Sequence, residues 1–306
     1  MSAWPAACQH GRVLGDVLRF LVCPLCGEAL AERAGAVGCP QGHSFDVARQ
    51  GYVNLLPGGR SVPGGDTPDM VSARAGFLAA GHFAPVAAAL AEEAAAAAAV
   101  SAAASTTATA TAQPAGCVAE AGAGTGYYLA TVLSALPPEP AGLALDASKA
   151  ALRRAARAHP RIGAVGCDVW HALPVADQAA TVVLNVFAPR NGAEFCRILA
   201  PGGRLLVVTP NPGHLQELVA ALGLLTVDED KPGRLARSLD PWFRRVATRE
   251  ITTTRPLATA DVRAAVLMGP SAWQAVARGS VARIGGLPDP LPVTLSVTLS
   301  TWTAAR

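Results

Sequence analysis

Four side chains near the N-terminus have the types and the spacing of a metal site. Cys23 and Cys26 have two residues between them, and Cys39 and His43 follow as a second pair with three residues between them. Two such pairs can bring three thiolates and one imidazole into a tetrahedron, which zinc accepts, and four protein ligands leave no position for water. We therefore expect one structural zinc ion. A redox-active Cys-x-x-Cys pair and a chance cluster are the alternatives, and the second ligand pair favours zinc over both.

A glycine-rich segment, Glu-Ala-Gly-Ala-Gly-Thr-Gly at residues 120–126, is the second chemical signal. Glycine lets the backbone turn sharply and approach a ligand closely, because it has no Cβ atom. A nicotinamide dinucleotide site has the spacing G-x-G-x-x-G and an acid on the next strand. Here Gly122, Gly124 and Gly126 have the spacing G-x-G-x-G after an acidic residue, Glu120. This form resembles the first motif of class I methyltransferases, whose loop wraps the amino-acid part of S-adenosylmethionine.

Three further features occur in the order of the same resemblance. Asp146 ends the next apolar run, where these enzymes place a carboxylate on the ribose hydroxyls, although an N-cap ahead of the following helix explains it nearly as well. Asp168 falls where the family holds the adenine amino group. The segment 197–206, Arg-Ile-Leu-Ala-Pro-Gly-Gly-Arg-Leu-Leu, resembles the turn before the fifth strand of that fold. The four features together favour a methyltransferase over an ordinary nucleotide-binding core.

The elements that must position these residues alternate between strands and helices. Short apolar runs follow one another at 117–122, 142–146, 164–168, 181–187 and 204–210, and helical segments such as 147–159 separate them. This alternation predicts a parallel, doubly wound α/β sheet. Near the C-terminus, residues 293–302 alternate strictly and predict an antiparallel edge strand, after an equally strand-like run at 250–256. Residues 69–100 have helical spacing.

Composition limits the remaining classes of protein. The 306 residues are 51% hydrophobic and 15% charged, with a net charge of +3 and a pI near 8.6, so any nucleic-acid binding requires a local patch. No apolar run is long enough to span a membrane, and the first twenty residues lack the pattern of a secretory signal. Seven cysteines are an odd count for a disulfide scaffold, and a cytoplasmic location fits them best.

At this point the chain resembles a specific family, the RlmA-type 23S rRNA (guanine-N1)-methyltransferases. The resemblance covers about residues 21–300. It is carried by the two ligand pairs, Gly-Tyr-Val-Asn-Leu-Leu at 51–56, Gly65 and Asp66, Met70, Arg74, Phe77 and Leu78, residues 80–83, 122–128 and 145–146, Phe-Ala-Pro at 187–189, residues 201–203, and 209–218. The string at 51–56 after a zinc pair is its most specific part. Within the family the chain looks like the branch that confers tylosin resistance.

The resemblance implies an activity, cofactors and partners. The activity is transfer of a methyl group from S-adenosylmethionine to guanine N1 in a 23S rRNA hairpin near the macrolide site of the exit tunnel, with macrolide resistance as its effect. A homodimer is also implied. The residues that it places at the cofactor are Phe83, Glu120, Gly122, Gly124, Gly126, Tyr127, Asp146, Asp168, Asn185 and His214. From the residues alone, Phe83 is equally explained as a core aromatic, and His214 as a helix-start residue.

The chemistry at guanine N1 requires a further group that the sequence does not identify. N1 carries a proton, so either a general base or stabilisation of negative charge on O6 is needed. Asn185, Asp66 and His214 are the candidates. The target base of a hairpin must be splayed out, and Phe187 is a candidate to stack on it. Arg49, Arg60 and Arg74 are candidates for phosphate contacts.

We expect five segments along the chain. Residues 1–20 form a variable extension, in which Cys8 and His10 are an incidental pair. Residues 21–60 form the zinc module, which either recognises RNA or is purely structural. Residues 61–100 form a helical connector, 101–115 a low-complexity mobile loop, and 116–306 the methyltransferase domain.

Two other functions are compatible with parts of the sequence. A class I methyltransferase acting on a small-molecule natural product would leave the zinc module without a substrate role. A zinc-ribbon binding protein with a degenerate methyltransferase domain is the second, and the intact glycine loop with Asp146 argues against it.

Overall fold

The computed structural model describes residues 9–57, 65–106, 116–225, 233, 237–269 and 271–305. Its strands are β1 (Ala31–Arg33), β2 (Ala36–Gly38), β3 (Ser44–Asp46), β4 (Tyr52–Asn54), β5 (Cys117–Ala121), β6 (Gly142–Asp146), β7 (Ile162–Gly166), β8 (Ala180–Val186), β9 (Leu199–Pro210), β10 (Phe243–Leu257) and β11 (Leu291–Ala304). Its helices are α1 (Gln9–Leu18), α2 (Pro68–Ala79), α3 (Ala84–Thr106), α4 (Tyr127–Ala135), α5 (Lys149–Ala158), α6 (Gly192–Ile198), α7 (Gln216–Leu222), α8 (Thr259–Leu267) and α9 (Ala272–Ala277), and a 3-10 helix spans Ser280–Gly286.

Eight strands form one sheet in the order β10-β11-β9-β8-β5-β6-β7-β4. The six strands from β9 to β4 pair in parallel, and β11 and β10 are antiparallel. The chain runs outward from β5 to β7 and then returns to β8 on the other side of β5. The strand order therefore reverses between β5 and β8, which is where ligands bind in open α/β sheets. The predicted doubly wound fold is confirmed.

The antiparallel pair differs from the prediction in its order. The predicted edge strand, β11, lies between β9 and β10, and β10 is the edge. Alternation of apolar residues indicates a strand, but it does not show which of two antiparallel strands lies next to the sheet. Burial does distinguish them, because Val297 and Leu299 of β11 are buried whereas most of β10 is exposed.

The N-terminal segment contributes more to the main core than the sequence predicted. Leu14 and Val17 of α1 are buried, and a Cβ at Gly163 of β7 would clash with the Val17 side chain. Strand β4 lies inside the predicted zinc module, yet it pairs in parallel with β7, with Val53 opposite Val165. Only β1, β2 and β3, which form a small antiparallel sheet, are therefore separate from the main sheet among the described strands of the predicted zinc module.

The predicted helical connector consists of two helices. Helix α2 begins after Thr67, whose side chain accepts a 3.2 Å hydrogen bond from the amide of Met70. Helix α3 continues to Thr106, so the first six residues of the predicted mobile loop are helical, and residues 107–115 lie outside the described residues. Alanine has the highest helix propensity, which explains this extension. No single helix of the described chain is long and apolar enough to cross a membrane, whereas α2 and α3 pass that test only as a pair bent by 82°.

Candidate active site and metal centre

A cavity of about 580 Å³ opens where the strand order reverses, at the carboxyl ends of the parallel strands. This volume is in the range of ordinary small-molecule sites. The residues proposed from the sequence that line it are Asp66, Arg74, Phe83, Glu120, Gly122, Gly124, Tyr127, Asp146, Asp168, Phe187 and His214. Gly126 and Asn185 do not line it.

The glycine loop joins β5 to α4 along one wall of the cavity. Gly122 and Gly124 have φ angles of +75° and +54°, which non-glycine residues rarely adopt. A Cβ at Gly122 would clash with the Cβ of Ala188, so the loop after β5 touches the loop after β8. Gly126 has a different role, since a Cβ there would lie 3.0 Å from the Cα of Ala155. Because Gly126 has no Cβ atom, α4 and α5 can pack closely.

Asp146 lies at the end of β6 and contacts the loop through its carboxylate. Its Oδ2 accepts a 2.7 Å hydrogen bond from the Gly124 amide, and its Oδ1 accepts one of 2.7 Å from the Ser148 amide. The N-cap of α5 is Ser148, whose hydroxyl accepts from Ala151, so the N-cap explanation of Asp146 does not apply. Burial raises the pKa of Asp146, although these two amide bonds oppose the effect.

Glu120 forms part of the cavity floor and is 1% exposed. Its Oε2 accepts a 3.1 Å hydrogen bond from the Leu129 amide, which fixes the start of α4. Burial raises the pKa of Glu120 to about 8, the Leu129 bond lowers it, and the nearby charge of Asp146 raises it. An acid of this pKa is largely protonated at neutral pH.

Asn185 lies behind the cavity wall and is fully buried. Its Nδ2 donates to the Pro189 carbonyl at 2.8 Å and to the Ala121 carbonyl at 3.4 Å, and its Oδ1 has no hydrogen-bond partner. The sequence predicted this side chain at the catalytic or cofactor site, but the structure places it behind the cavity wall. The amide side chain fastens the loop after β8 to the end of β5.

Three aromatic rings cluster in the cavity wall. The centroids of Phe83 and Phe187 are 5.6 Å apart, and each lies 6.0 Å from the ring of His214. Phe83 is 2% exposed, whereas Phe187 is 41% exposed and has a φ of +53°. A bulky residue with positive φ stores backbone strain, which is typical of functional sites. His214 accepts a 3.1 Å hydrogen bond at Nδ1 from the Ser296 amide, so the neutral ring carries its proton on Nε2.

Arg74 belongs to the cavity wall. It forms an ion pair with Asp66 and donates from Nη2 to the Met268 carbonyl at 2.6 Å. The sequence predicted that Arg74 contacts an RNA phosphate, but the structure places its side chain in the cavity wall, paired with Asp66. Arg49 is exposed near the zinc module, and Arg60 lies outside the described residues.

The cavity residues that were not singled out from the sequence include Trp170 and Arg190. Trp170, which is 64% exposed, follows Asp168, and the Asp168 carboxylate accepts a 3.0 Å bond from the Trp170 amide and lies 3.0 Å from Nδ1 of His171. Arg190 directly follows the Phe-Ala-Pro string at 187–189. The signal for Arg190 was present, since the string next to it supported the family resemblance.

The four predicted metal ligands converge on one point. Their ligand atoms all lie within 4.8 Å of one another. The Sγ atoms of Cys26 and Cys39 are 3.6 Å apart, and Nδ1 of His43 lies 3.5 Å from Sγ of Cys23 and 3.3 Å from that of Cys39. Tetrahedral zinc with its usual bond lengths separates two sulfur ligands by about 3.8 Å. The donor set therefore fits one zinc ion, held through Nδ1 of the histidine.

Comparison with known proteins gives the family. Residues 21–60 match the zinc-ribbon family described as RlmA, N-terminal. A 23S rRNA (guanine(748)-N(1))-methyltransferase of Streptomyces fradiae is 47% identical over 285 residues, 93% of this chain and 97% of that protein. A protein of Micromonospora griseorubida assigned as a 23S rRNA (guanine-N(1)-)-methyltransferase is 49% identical over 291 residues, 94% of this chain and 98% of that protein. Among solved structures, a geranyl diphosphate C-methyltransferase of Streptomyces coelicolor A3(2) is 15% identical, with a TM-score of 0.37 over 63% of this chain and 71% of that one.

The fold and the cavity define a class I methyltransferase with an attached zinc ribbon. The chain belongs to the RlmA-type family of 23S rRNA (guanine-N1)-methyltransferases. The family and the enzyme class expected from the sequence are therefore confirmed. The expected cofactors, S-adenosylmethionine and one structural zinc ion, are confirmed with them.

Proposed function

We propose that the chain methylates N1 of one guanine in a hairpin of 23S rRNA near the macrolide site, and that this modification confers resistance to tylosin-type macrolides. The supporting observation is the near full-length similarity to the Streptomyces fradiae enzyme, which is named for guanine 748. We propose the same guanine for this chain. Action on ribosomal RNA supports a cytoplasmic location. We also propose that the protein is a homodimer, and light scattering would measure its oligomeric state.

The proposed cofactor position is the end of the cavity formed by the glycine loop. The backbone of Gly122 and Gly124 would hold the amino-acid part, and Tyr127 lines the wall next to them. The Asp146 carboxylate would accept hydrogen bonds from the ribose hydroxyls, since each oxygen accepts more than one bond. Asp168 would accept from the adenine amino group. When bound, S-adenosylmethionine supplies an electrophilic methyl group.

The proposed position of the target base is beside the rings of Phe187, Phe83 and His214. Phe187 is exposed at the cavity, so a splayed guanine can stack on its ring. Phe83 supports Phe187 from the buried side. This arrangement would hold the nucleotide in one orientation relative to the glycine loop, and such positioning is a large part of catalysis of a two-reactant step.

The hydrogen bonds of the three candidates for the general base favour Asp66 over Asn185 and His214. Asn185 is behind the wall and has no ionisable group. The Nδ1 lone pair of His214 is already used by Ser296, so the neutral ring presents a donor, Nε2–H, rather than an acceptor. Of the three, Asp66 is the one with an ionisable acceptor at the cavity, and it is paired with Arg74.

Incubation of the pure protein with labelled S-adenosylmethionine and unmodified 23S rRNA, followed by primer extension, tests the proposal. N1 methylation blocks Watson–Crick pairing, so we expect a single stop at one hairpin guanine. A stop elsewhere would overturn the assigned guanine. Cofactor binding without any label in RNA would favour the small-molecule methyltransferase instead. Expression in a tylosin-sensitive strain whose own hairpin is unmodified measures resistance.

A further inference from the structure

Arg190 is a cation in the cavity wall that forms no ion pair with another described residue. It lines the cavity beside Pro189, three residues after Phe187. Its Nε is buried and has no hydrogen-bond partner, and no ion pair involves it within the part of the chain that the structure describes. Burial lowers the pKa of the Arg190 guanidinium. A partly buried guanidinium whose Nε is buried and unpaired is costly unless a ligand completes its hydrogen bonds.

The backbone that carries Arg190 is fixed on both sides. Before it, Asn185 donates to the Pro189 carbonyl at 2.8 Å. After it, Asn191 caps α6 by accepting from the Glu194 amide at 3.3 Å, and it donates to the Val169 carbonyl at 3.2 Å. The guanidinium is therefore presented to the cavity by an anchored segment, as a specific contact to a ligand requires.

The other cationic or basic groups at the cavity already have partners. Arg74 is paired with Asp66 and bonded to the Met268 carbonyl. His214 is bonded to the Ser296 amide. Arg190 is thus the group in the described cavity wall whose positive charge is left for the substrate.

We propose that Arg190 binds the O6 and N7 edge of the target guanine and stabilises the negative charge that develops on O6 when N1 loses its proton. This inference rests on the proposed function. The two acceptors O6 and N7 match the planar fork of arginine, and adenine presents a donor in place of O6. Arg190 would therefore both select guanine and assist its methylation.

The reaction balances without a further reactant. The N1–H bond breaks and its proton passes to the solvent through a base. The N1 electron pair forms the new N–CH₃ bond, and the sulfonium S–CH₃ bond breaks with its electron pair remaining on sulfur. Arg190 keeps its charge throughout, and it offsets the charge on the guanine O6 before the methyl group arrives.

The test combines protein and RNA substitutions in one cycle. The wild-type enzyme and Arg190→Met are assayed on 23S rRNA carrying guanine or 7-deazaguanine at the target position. Arg153→Met, on the exposed face of α5, is the matched control. We expect 7-deazaguanine or Arg190→Met alone to lower kcat/KM on the order of 10- to 100-fold. Once Arg190 is replaced, 7-deazaguanine should add little, and Arg190→Met should cost less on the 7-deazaguanine RNA than on the guanine RNA because only the O6 contact is left to lose. The control should match the wild type.

Two further readouts separate the alternatives. Affinity for S-adenosylmethionine, measured by calorimetry, should be unchanged in Arg190→Met, whereas the methylation rate should need a higher pH to reach its half-maximum. Reduced cofactor affinity would assign Arg190 to the cofactor carboxylate and overturn the inference. An equal loss on both RNAs would assign it to a phosphate and also overturn it.

The wild-type enzyme alone provides a test that does not depend on the variant folding. Equal rates on guanine and 7-deazaguanine would overturn the inference while leaving the proposed function intact. Absence of methylation on the guanine RNA would instead refute the proposed function.

Discussion

The Asp146 carboxylate accepts a 2.7 Å hydrogen bond from the backbone amide of Gly124, and this bond joins the end of β6 to the loop after β5. Two loops that belong to different strands are thereby held in one arrangement. The same carboxylate is the group proposed to bind the ribose. One side chain would therefore both shape the glycine loop and contact the cofactor that the loop encloses.

Asp146→Ala should weaken cofactor binding strongly. The change removes a charged acceptor and frees the Gly124 amide, and hydrogen bonds to charged groups contribute about 1.5–3 kcal/mol each. We expect the Kd for S-adenosylmethionine, measured by calorimetry, to rise on the order of 10- to 100-fold. Asp240→Ala is the control, because that carboxylate is exposed and does not line the cavity. An unchanged Kd in Asp146→Ala would refute the ribose contact.

Glu120→Gln should change how stability depends on pH. Burial raises the pKa of Glu120 from 4.5 to about 8, so between these values the folded protein retains a proton that the unfolded chain has lost. Stability should therefore fall as the pH rises from about 5 to 8, by about 2–4 kcal/mol from this residue. Glutamine cannot ionise, so the fall should be smaller in the variant. Urea unfolding at pH 5, 6, 7 and 8 measures it, with exposed Glu250→Gln as control; parallel curves for wild type and Glu120→Gln would contradict the raised pKa.

Much of the fold followed from local pattern in the sequence. The runs that became β5 and β6 are short, apolar and bounded by glycine or proline, and the parallel sheet follows from their alternation with helices. The position of β4 did not follow from the sequence. Its partner β7 lies more than a hundred residues away, so only the folded chain shows that these three residues belong to the main sheet.

In the site, as in the fold, the sequence predicted the features that depend on local pattern and missed those that depend on contacts made in the folded chain. Gly124 was identified from the local G-x-G-x-G spacing, which its positive φ explains, and Asp146 from its position at the end of the next apolar run. The position of Asn185 was not predictable, since the direction of a side chain at the end of a strand depends on the loop that packs against it. The orientation of Arg74 depends on Asp66 and on the distant Met268 carbonyl, so its inward position was also hidden.

Phe187→Ala should reduce RNA methylation without affecting the cofactor. Stacking of a base on an aromatic ring contributes about 1–3 kcal/mol, which corresponds to a loss of kcat/KM for RNA on the order of 10- to 100-fold. The Kd for S-adenosylmethionine should not change. Trp273→Ala removes another exposed ring, outside the cavity, and should behave as the wild type. Full activity of Phe187→Ala on 23S rRNA would dismiss the stacking role.

Cys39→Ser should abolish stoichiometric zinc binding and lower the melting temperature. Cys39 is fully buried and packs in the same core cluster as Val165 of the main sheet, so loss of the metal should destabilise more than the small β1–β3 sheet. Zinc content by mass spectrometry and thermal unfolding measure the two effects. Cys8→Ser is the control that separates the proposed ligands from the incidental pair. Loss of zinc in Cys8→Ser, or its retention in Cys39→Ser, would contradict the assigned ligand set.

Arg49→Gln should weaken RNA binding in a manner that depends on salt. Arg49 is exposed beside the zinc module, between β3 and β4. Each phosphate contact that is lost reduces the slope of log K against log salt by about 1. We expect this reduction for Arg49→Gln in binding measurements across a salt series. Arg153→Gln, on exposed α5, is the control. Because Arg74 faces the cavity, replacing it should alter catalysis or cofactor affinity more than the salt slope. A wild-type slope in Arg49→Gln would remove the one described arginine that supports an RNA-binding role for the zinc module.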